Sequence, residues 1–184
     1  IKMWCLGNEM DGEWQVGHKT AYEYGRLANE TAKAMRLFDK NIELVVCGSS
    51  SDTMKTFPEW EREVLDLTYD SVDYISMHKY WSNSEDRSDE REIGKHNTTN
   101  YLTNSIGLQT YISDVESTIN FIKSKKRSTK NIKISFDEYQ PWYHSIKKMN
   151  KHLNSNIKDW PKAYPILEDE YNLLDCLLVG TVIN

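Results

Sequence analysis

Short apolar runs alternate with longer amphipathic stretches along this chain. Four runs, at residues 1–7, 42–47, 72–77 and 132–136, are apolar on most positions and rich in β-branched or aromatic residues. That is the pattern of strands buried on both faces. Helical spacing fills the intervals. Thr20 and Glu23 form a capping box ahead of Tyr24, Leu27, Ala28, Thr31, Ala34 and Met35, and Asp39, Lys40 and Asn41 stop the run. Pro58 opens a second helix through Trp60, Val64 and Leu67, at the first-turn position that proline tolerates. A third is expected over residues 110–125, with Val115, Ile119 and Ile122 on one stripe and lysines at its C-terminal end. A fourth is expected over residues 167–182.

Strands separated by helices predict right-handed βαβ crossovers and a parallel sheet. Residues 82–99 and 145–161 are polar and too long for simple connections; they read as loops, the first of them mobile. Both leave the C-terminal ends of strands, the face on which a β/α barrel builds its active site. No Gly-x-Gly-x-x-Gly follows any strand, which removes the main support for a dinucleotide-binding fold.

Composition narrows the function class. A length of 184 residues fits one domain, and 39% hydrophobic with 28% charged residues is ordinary for a globular protein. The net charge of -5 leaves no basic footprint for nucleic acid. The longest apolar stretch, residues 173–183, is interrupted by Asp175 and is shorter than the roughly 20 residues that span a bilayer; no membrane partner is expected. Cys5, Cys47 and Cys176 are widely spaced inside apolar runs, which reads as buried free thiols and favours a reducing, cytoplasmic setting. Both chain ends fall within strand-like or apolar runs, as if cut from a longer protein.

Two of the strand candidates end in carboxylates. Glu9 follows Gly7 and Asn8, and Glu138 follows Ser135, Phe136 and Asp137. The alternative for either one alone is a surface acid or a helix cap with no catalytic part. Together they suggest a two-carboxylate site, because desolvating an unpaired carboxylate costs several kcal/mol or shifts its pKa. Two strand candidates lie between them, so the first and fourth strands each deliver a glutamate to one face. No His-Glu-x-x-His or acidic cluster points to a metal, and no cofactor is expected.

The motifs Trp4-Cys5-Leu6-Gly7-Asn8-Glu9-Met10-Asp11-Gly12, Ser71-Val72-Asp73-Tyr74-Ile75-Ser76-Met77-His78 and Ser135-Phe136-Asp137-Glu138 resemble those of family 51 glycoside hydrolases, the intracellular-type α-L-arabinofuranosidases. Cys47-Gly48-Ser49-Ser50 and Thr56-Phe57-Pro58-Glu59-Trp60-Glu61 extend the resemblance along nearly the whole chain. The resemblance implies an α/β fold, a partial (β/α)8 TIM barrel with residues 1–184 covering about strands four to seven. The other strands and a β-sandwich lie outside the sequence. It implies a retaining exo-acting α-L-arabinofuranosidase that releases arabinose from arabinan- or arabinoxylan-type oligosaccharides and polysaccharides. Glu9 would be the acid/base and Glu138 the nucleophile, with substrate-binding roles for Asn8, His78, Tyr80 and Trp142. The parent enzyme would be a homo-oligomer. Another clan hydrolase, such as an endoglucanase or xylanase, and a non-catalytic carbohydrate-binding fragment are the alternatives.

Departures from the family pattern are Glu13 for a usual proline, Tyr139-Gln140 for a common Trp-Asn, and Lys79 and Trp81 around Tyr80. These bear on substrate preference and leave both carboxylates in place. Strand spacing adds a condition. In a flat sheet, strands about 4.8 Å apart would place the ends of the first and fourth roughly 14 Å from each other. A retaining pair needs about 5 to 5.5 Å. The expectation is that only a closed barrel brings the pair together, and that the chain alone is inactive.

Overall fold

The computed structural model describes residues 1–81, 98–141, 171 and 173–184. Its elements are β1 (Met3–Cys5), α1 (Ala21–Phe38), β2 (Glu43–Val46), α2 (Glu59–Thr68), β3 (Tyr74–Trp81), α3 (Thr98–Thr103), α4 (Ile106–Lys126), β4 (Lys133–Pro141) and α5 (Leu173–Ile183). The chain divides into two compact units. The first holds residues 1–79 and 109–139, the second residues 80–108 and 140–184.

The first unit carries one sheet in the order β1-β2-β3-β4. Parallel registers pair Cys5 with Val45 and Val46 with Ile75. The Lys133 N–H donates to the Asp73 carbonyl at 3.0 Å, which sets the starts of β3 and β4 side by side. Sequential parallel strands with helical crossovers are what the alternating pattern dictates. Asp73 ties this end of the sheet to α1: its carboxylate accepts from Leu44 N at 2.9 Å and from the Arg36 guanidinium at 2.6 Å.

The capping box forms as expected, with Thr20 and Glu23 exchanging side-chain to backbone hydrogen bonds at the start of α1. The face that α1 buries differs from the apolar stripe. Leu27 is exposed, and the buried positions are Tyr24, Gly25, Ala28 and Ala32. The reason is close approach to α2: a Cβ at Gly25 would lie 2.7 Å from Leu67 Cδ1 and 3.4 Å from Val64 Cα. Small residues, rather than large apolar ones, permit that contact. On α4, Val115, Ile119 and Ile122 are buried as their spacing requires.

Both β3 and β4 run past the apolar segments that signal them, to Trp81 and Pro141. His78 and Glu138 therefore lie inside strands, not at their exits. Hydrophobic patterning stops at a polar residue, whereas backbone pairing continues where polar side chains find partners. The cysteines differ too: Cys47 is buried, but Cys5 and Cys176 are exposed free thiols. Both lie at exposed positions of their elements, which an apolar neighbourhood in sequence does not reveal.

In the second unit the Tyr101 hydroxyl donates to Asp175 at 2.6 Å, linking α3 to α5, and the Trp81 indole donates to the Asn104 carbonyl at 3.3 Å. The expected helix at 167–182 is present from Leu173; residues 167–170, the long segment 82–97 and the segment 145–161 lie outside the described residues. Among the described residues no helix is long and apolar enough to cross a membrane.

Candidate active site

Glu9 sits on the loop after β1, and backbone geometry aims it. Gly7 adopts φ 150° and Glu9 φ 45°, and a left-handed non-glycine residue is sparsely populated and concentrates at functional sites. A Cβ on Gly7 would meet Met10 Cγ at 3.0 Å and Cys47 Sγ at 3.3 Å, so the loop lies tightly over the end of β2. The Gly12 N–H closes a turn onto the Glu9 carbonyl at 2.9 Å.

The loop brings Glu9 to His78, which is 4% exposed on β3. His78 Nδ1 lies 3.1 Å from Glu9 Oε1 and 3.4 Å from Glu138 Oε2, and Nε2 lies 3.2 Å from Asp137 Oδ1. Consecutive residues of a flat strand face opposite sides. Asp137 and Glu138 nevertheless both reach His78, one at each ring nitrogen. Donor atoms of Glu9, His78 and Glu138 all lie within 4.8 Å of one another. The flat-sheet separation of about 14 Å is thus corrected. Glu9 stands four residues beyond β1 on a loop turned towards β3, so its carboxylate need not remain above its own strand.

Electrostatics follow from this enclosure. Burial opposes the charged imidazole, but the contacts with Asp137 and Glu9 and the charge of Glu138 outweigh it and raise the His78 pKa to about 9. His78 is an imidazolium at neutral pH. Burial would push Glu9 up, yet bonds from His78, Trp14 and Gln15 prevail and hold it below its ordinary value. The Trp14 indole donates to Glu9 Oε2 at 2.8 Å and the Gln15 amide at 3.4 Å. Cys5 approaches the same cluster, 4.0 Å from Asp137 Oδ2; burial, followed by the Asp137 and Glu138 charges, raises its pKa.

Two carboxylates and an imidazole form a donor set that sequence spacing did not reveal, since its members come from three separate segments. Both His78 nitrogens face carboxylates, so these groups can share a proton among them.

Of the sequence candidates, the structure gathers Glu9, Glu138 and His78. Asn8 is exposed on the same loop, adjacent to Glu9. Tyr80 is half-buried two residues beyond His78 on β3 and belongs to the second unit. Trp142 lies outside the described residues. Asp137, Trp14 and Gln15 join the site without having been singled out as site residues. Asp137 was legible as the neighbour of Glu138; Trp14, one of six tryptophans, reads from sequence as a candidate sugar-stacking residue like Trp81, with core or rim the commoner place for such a residue. Of the departures from the family pattern, Lys79 is paired with Asp52, and Tyr139 stacks on Phe136 with ring centroids 4.8 Å apart.

Comparisons with known proteins bear on this arrangement. An intracellular exo-alpha-(1->5)-L-arabinofuranosidase of Acetivibrio thermocellus is 51% identical over 186 residues, covering 100% of this chain and 34% of the relative. An exo-alpha-(1->6)-L-arabinofuranosidase of Bifidobacterium longum is 42% identical and covers 98% of this chain and 33% of the relative. This chain is homologous to a segment of the family 51 arabinofuranosidases. A solved family 51 alpha-L-arabinofuranosidase from Bifidobacterium longum superposes with a TM-score of 0.84 at 35% identity, covering 100% of this chain and 34% of that one. The chain spans about a third of the length of the curated relatives it matches. Its parallel strands alternating with helices are part of a (β/α)8 barrel. No family model matches the chain.

Proposed function

We propose that the full-length protein carrying this family 51 segment is a retaining, exo-acting α-L-arabinofuranosidase, with Glu138 as nucleophile and Glu9 as acid/base. The observation that carries this reading is the approach of Glu9, His78 and Glu138 to within 4.8 Å. Retaining pairs have carboxyl groups about 5 to 5.5 Å apart, whereas inverting pairs need about 6.5 to 9.5 Å to admit a water. The names of the relatives support arabinofuranosides as the substrate class.

In the first step Glu138 forms a bond to the anomeric carbon while the glycosidic C–O bond breaks and the leaving oxygen takes a proton from Glu9. In the second, Glu9 removes a proton from the water that attacks the same carbon, releasing arabinose and the Glu138 carboxylate. Resting Glu9 is held ionised, so its first proton must be supplied. His78 Nδ1 carries the nearest one, 3.1 Å away. Transfer to Glu9 Oε1 leaves a neutral imidazole and arms the acid.

Asn8 and Tyr80 are placed in this reading as sugar-binding groups, together with Trp142. Arabinose side chains of arabinan and arabinoxylan-type fragments are the proposed substrates. The two relatives are named for different linkages, so the reading assigns none. Two relatives named intracellular support a cytoplasmic location, and homo-oligomeric assembly of the full-length protein is checked by light scattering.

The chain alone is expected to turn over poorly even with its carboxylates together. The Glu138 side chain is 35% exposed and Asp137 30%, so water is not excluded from the reacting centre. An open groove of about 550 Å³ lies along β4 and α4, bounded by Ile112, Ile119, Ile134 and Phe136. The full-length protein should hydrolyse 4-nitrophenyl α-L-arabinofuranoside, and Glu138→Ala should lower kcat about 10⁴-fold or more. Azide added to that variant should yield the inverted glycosyl azide, and added to Glu9→Ala the retained one. Unimpaired hydrolysis by Glu138→Ala would remove the nucleophile assignment.

A further inference from the structure

Beneath the site lies a second polar network that the proposed chemistry does not use. Residues 47–50, after β2, are irregular and buried, and their four successive backbone N–H groups are each satisfied by a side chain from a different element. Cys47 N donates to the Tyr24 hydroxyl at 2.8 Å, from α1; Gly48 N to Ser76 Oγ at 3.3 Å, from β3. Ser49 N donates to Glu61 Oε1 at 2.7 Å, from α2. Ser50 N donates to both oxygens of Asp11 at 3.1 Å, and the Ser50 hydroxyl donates to Asp11 Oδ1. The first three anchors come from the sheet and its helices. The fourth comes from the loop that carries Glu9.

That loop is held elsewhere by its backbone, the Met10 N–H on the Cys47 thiol included, and by the Glu9 side chain itself. The Glu9 carbonyl is taken by Gly12 N at 2.9 Å, within the loop itself, and the Met10 carbonyl by Lys19 N at 2.9 Å. Asp11, 8% exposed and two residues from Glu9, is the side chain that joins the turn to a segment already fixed from three sides. An exposed acid in a loop has no reason to be buried against a serine; a buried acid with three bonds to one residue fixes position.

We infer that Asp11 is a positioning residue for Glu9, holding the left-handed turn in place through the buried segment 47–50. The inference rests on the acid/base reading of Glu9. A displacement of about 1 Å at a reacting group costs on the order of 10²-fold in rate. Asp11→Ala should therefore lower kcat about 10²-fold with KM within about threefold, because the sugar-binding groups elsewhere stay in place. Asp11→Asn keeps an oxygen for Ser50 N and should recover most of the loss. Asp11→Ala combined with Ser50→Ala should be no worse than Asp11→Ala alone, since the Ser50 hydroxyl bond is already lost with the carboxylate.

A merely structural role would lower the folded fraction and leave kcat per folded molecule unchanged, which would overturn the inference. The Trp14 indole N–H, hydrogen-bonded to Glu9, gives a readout independent of turnover. Its NMR signal should move in Asp11→Ala and stay in Asp11→Asn. If the unaltered protein is active, Glu138→Ala is dead, and Asp11→Ala keeps both kcat and the indole signal, the positioning role fails while the hydrolase reading stands. If the unaltered protein is inactive the hydrolase reading fails, and the indole signal alone decides whether Asp11 holds the turn. Should Asp11→Ala not fold, Asp11→Glu decides, since it keeps a carboxylate for Ser50 but lengthens the link to the turn by one methylene: a lowered kcat with a shifted indole supports the inference, and neither change overturns it.

Discussion

Two carboxylate networks within one compact unit solve the same electrostatic problem in opposite ways. Around His78, the carboxylates of Glu9, Asp137 and Glu138 share a cation, and Glu9 is held below its ordinary range. Around Ser49 and Ser50, Asp11 and Glu61 have only neutral donors, and burial raises both pKa values. A paired acid can keep its charge and react. An unpaired acid drifts towards its protonated form and serves as an anchor. The aromatic and thiol groups near the buried network follow its logic: burial pushes the Cys47 thiol up to about 12 and raises Tyr111 and Tyr24.

Removing the cation tests the difference most severely. His78→Gln removes the cation that Glu9 and Glu138 share, and kcat should fall by about 10²-fold or more. Because the folded-state pKa of about 9 lies above the ordinary 6.5, the imidazolium stabilises the fold fully below pH 6.5. That stabilisation is lost as pH rises through about 9. The wild-type kcat/KM and urea midpoint should both decline across that window, and the variant should lack that decline. A variant with the same alkaline profile as wild type would show that His78 does not hold the charge.

The buried network should respond with stability instead of rate. Glu61→Ala strips the acceptor from Ser49 N, and a buried donor left alone costs about 1 to 3 kcal/mol. Glu61→Gln keeps the acceptor and cannot ionise. Since the Glu61 pKa is raised above 4.5, its protonated form favours folding at low pH, and that contribution fades as pH rises through the folded value. Glu61→Gln should therefore match wild type near pH 4 and gain on it near pH 8 in paired urea titrations. A gain in the opposite direction would show that Glu61 works as a charged group. The smallest change is Tyr24→Phe, which removes one partner, that of Cys47 N. About 1 kcal/mol should be lost, with kcat nearly unchanged. A large drop in kcat would show that the α1 anchor, and not Asp11 alone, sets Glu9.

Much of this was legible along the chain. Short apolar runs and period-3.6 patterns located β1 to β4 and the helices between them, and the capping box at Thr20 and Glu23 fixed where α1 starts. The motifs around Glu9 and Glu138 carried the family resemblance. Other features were illegible for physical reasons. The buried face of α1 depends on how closely α2 approaches Gly25. The partners that His78 finds on β3 are acids of two other segments, Glu9 and Asp137. Burial of Asp11 and Glu61 depends on donors at Ser49 and Ser50. None of these is a local property.

The sequence by itself determined which residues are available for chemistry and the order in which strands present them. Local propensity and hydrophobic period act over a few residues and are written in every window of the chain. Only the tertiary structure decided that Glu9 crosses to His78, that one imidazole serves three acids, and that two further acids are buried as anchors. Those outcomes rest on distances of about 3 Å between groups that the chain separates by as many as 69 residues, and on charges whose energies depend on what surrounds them.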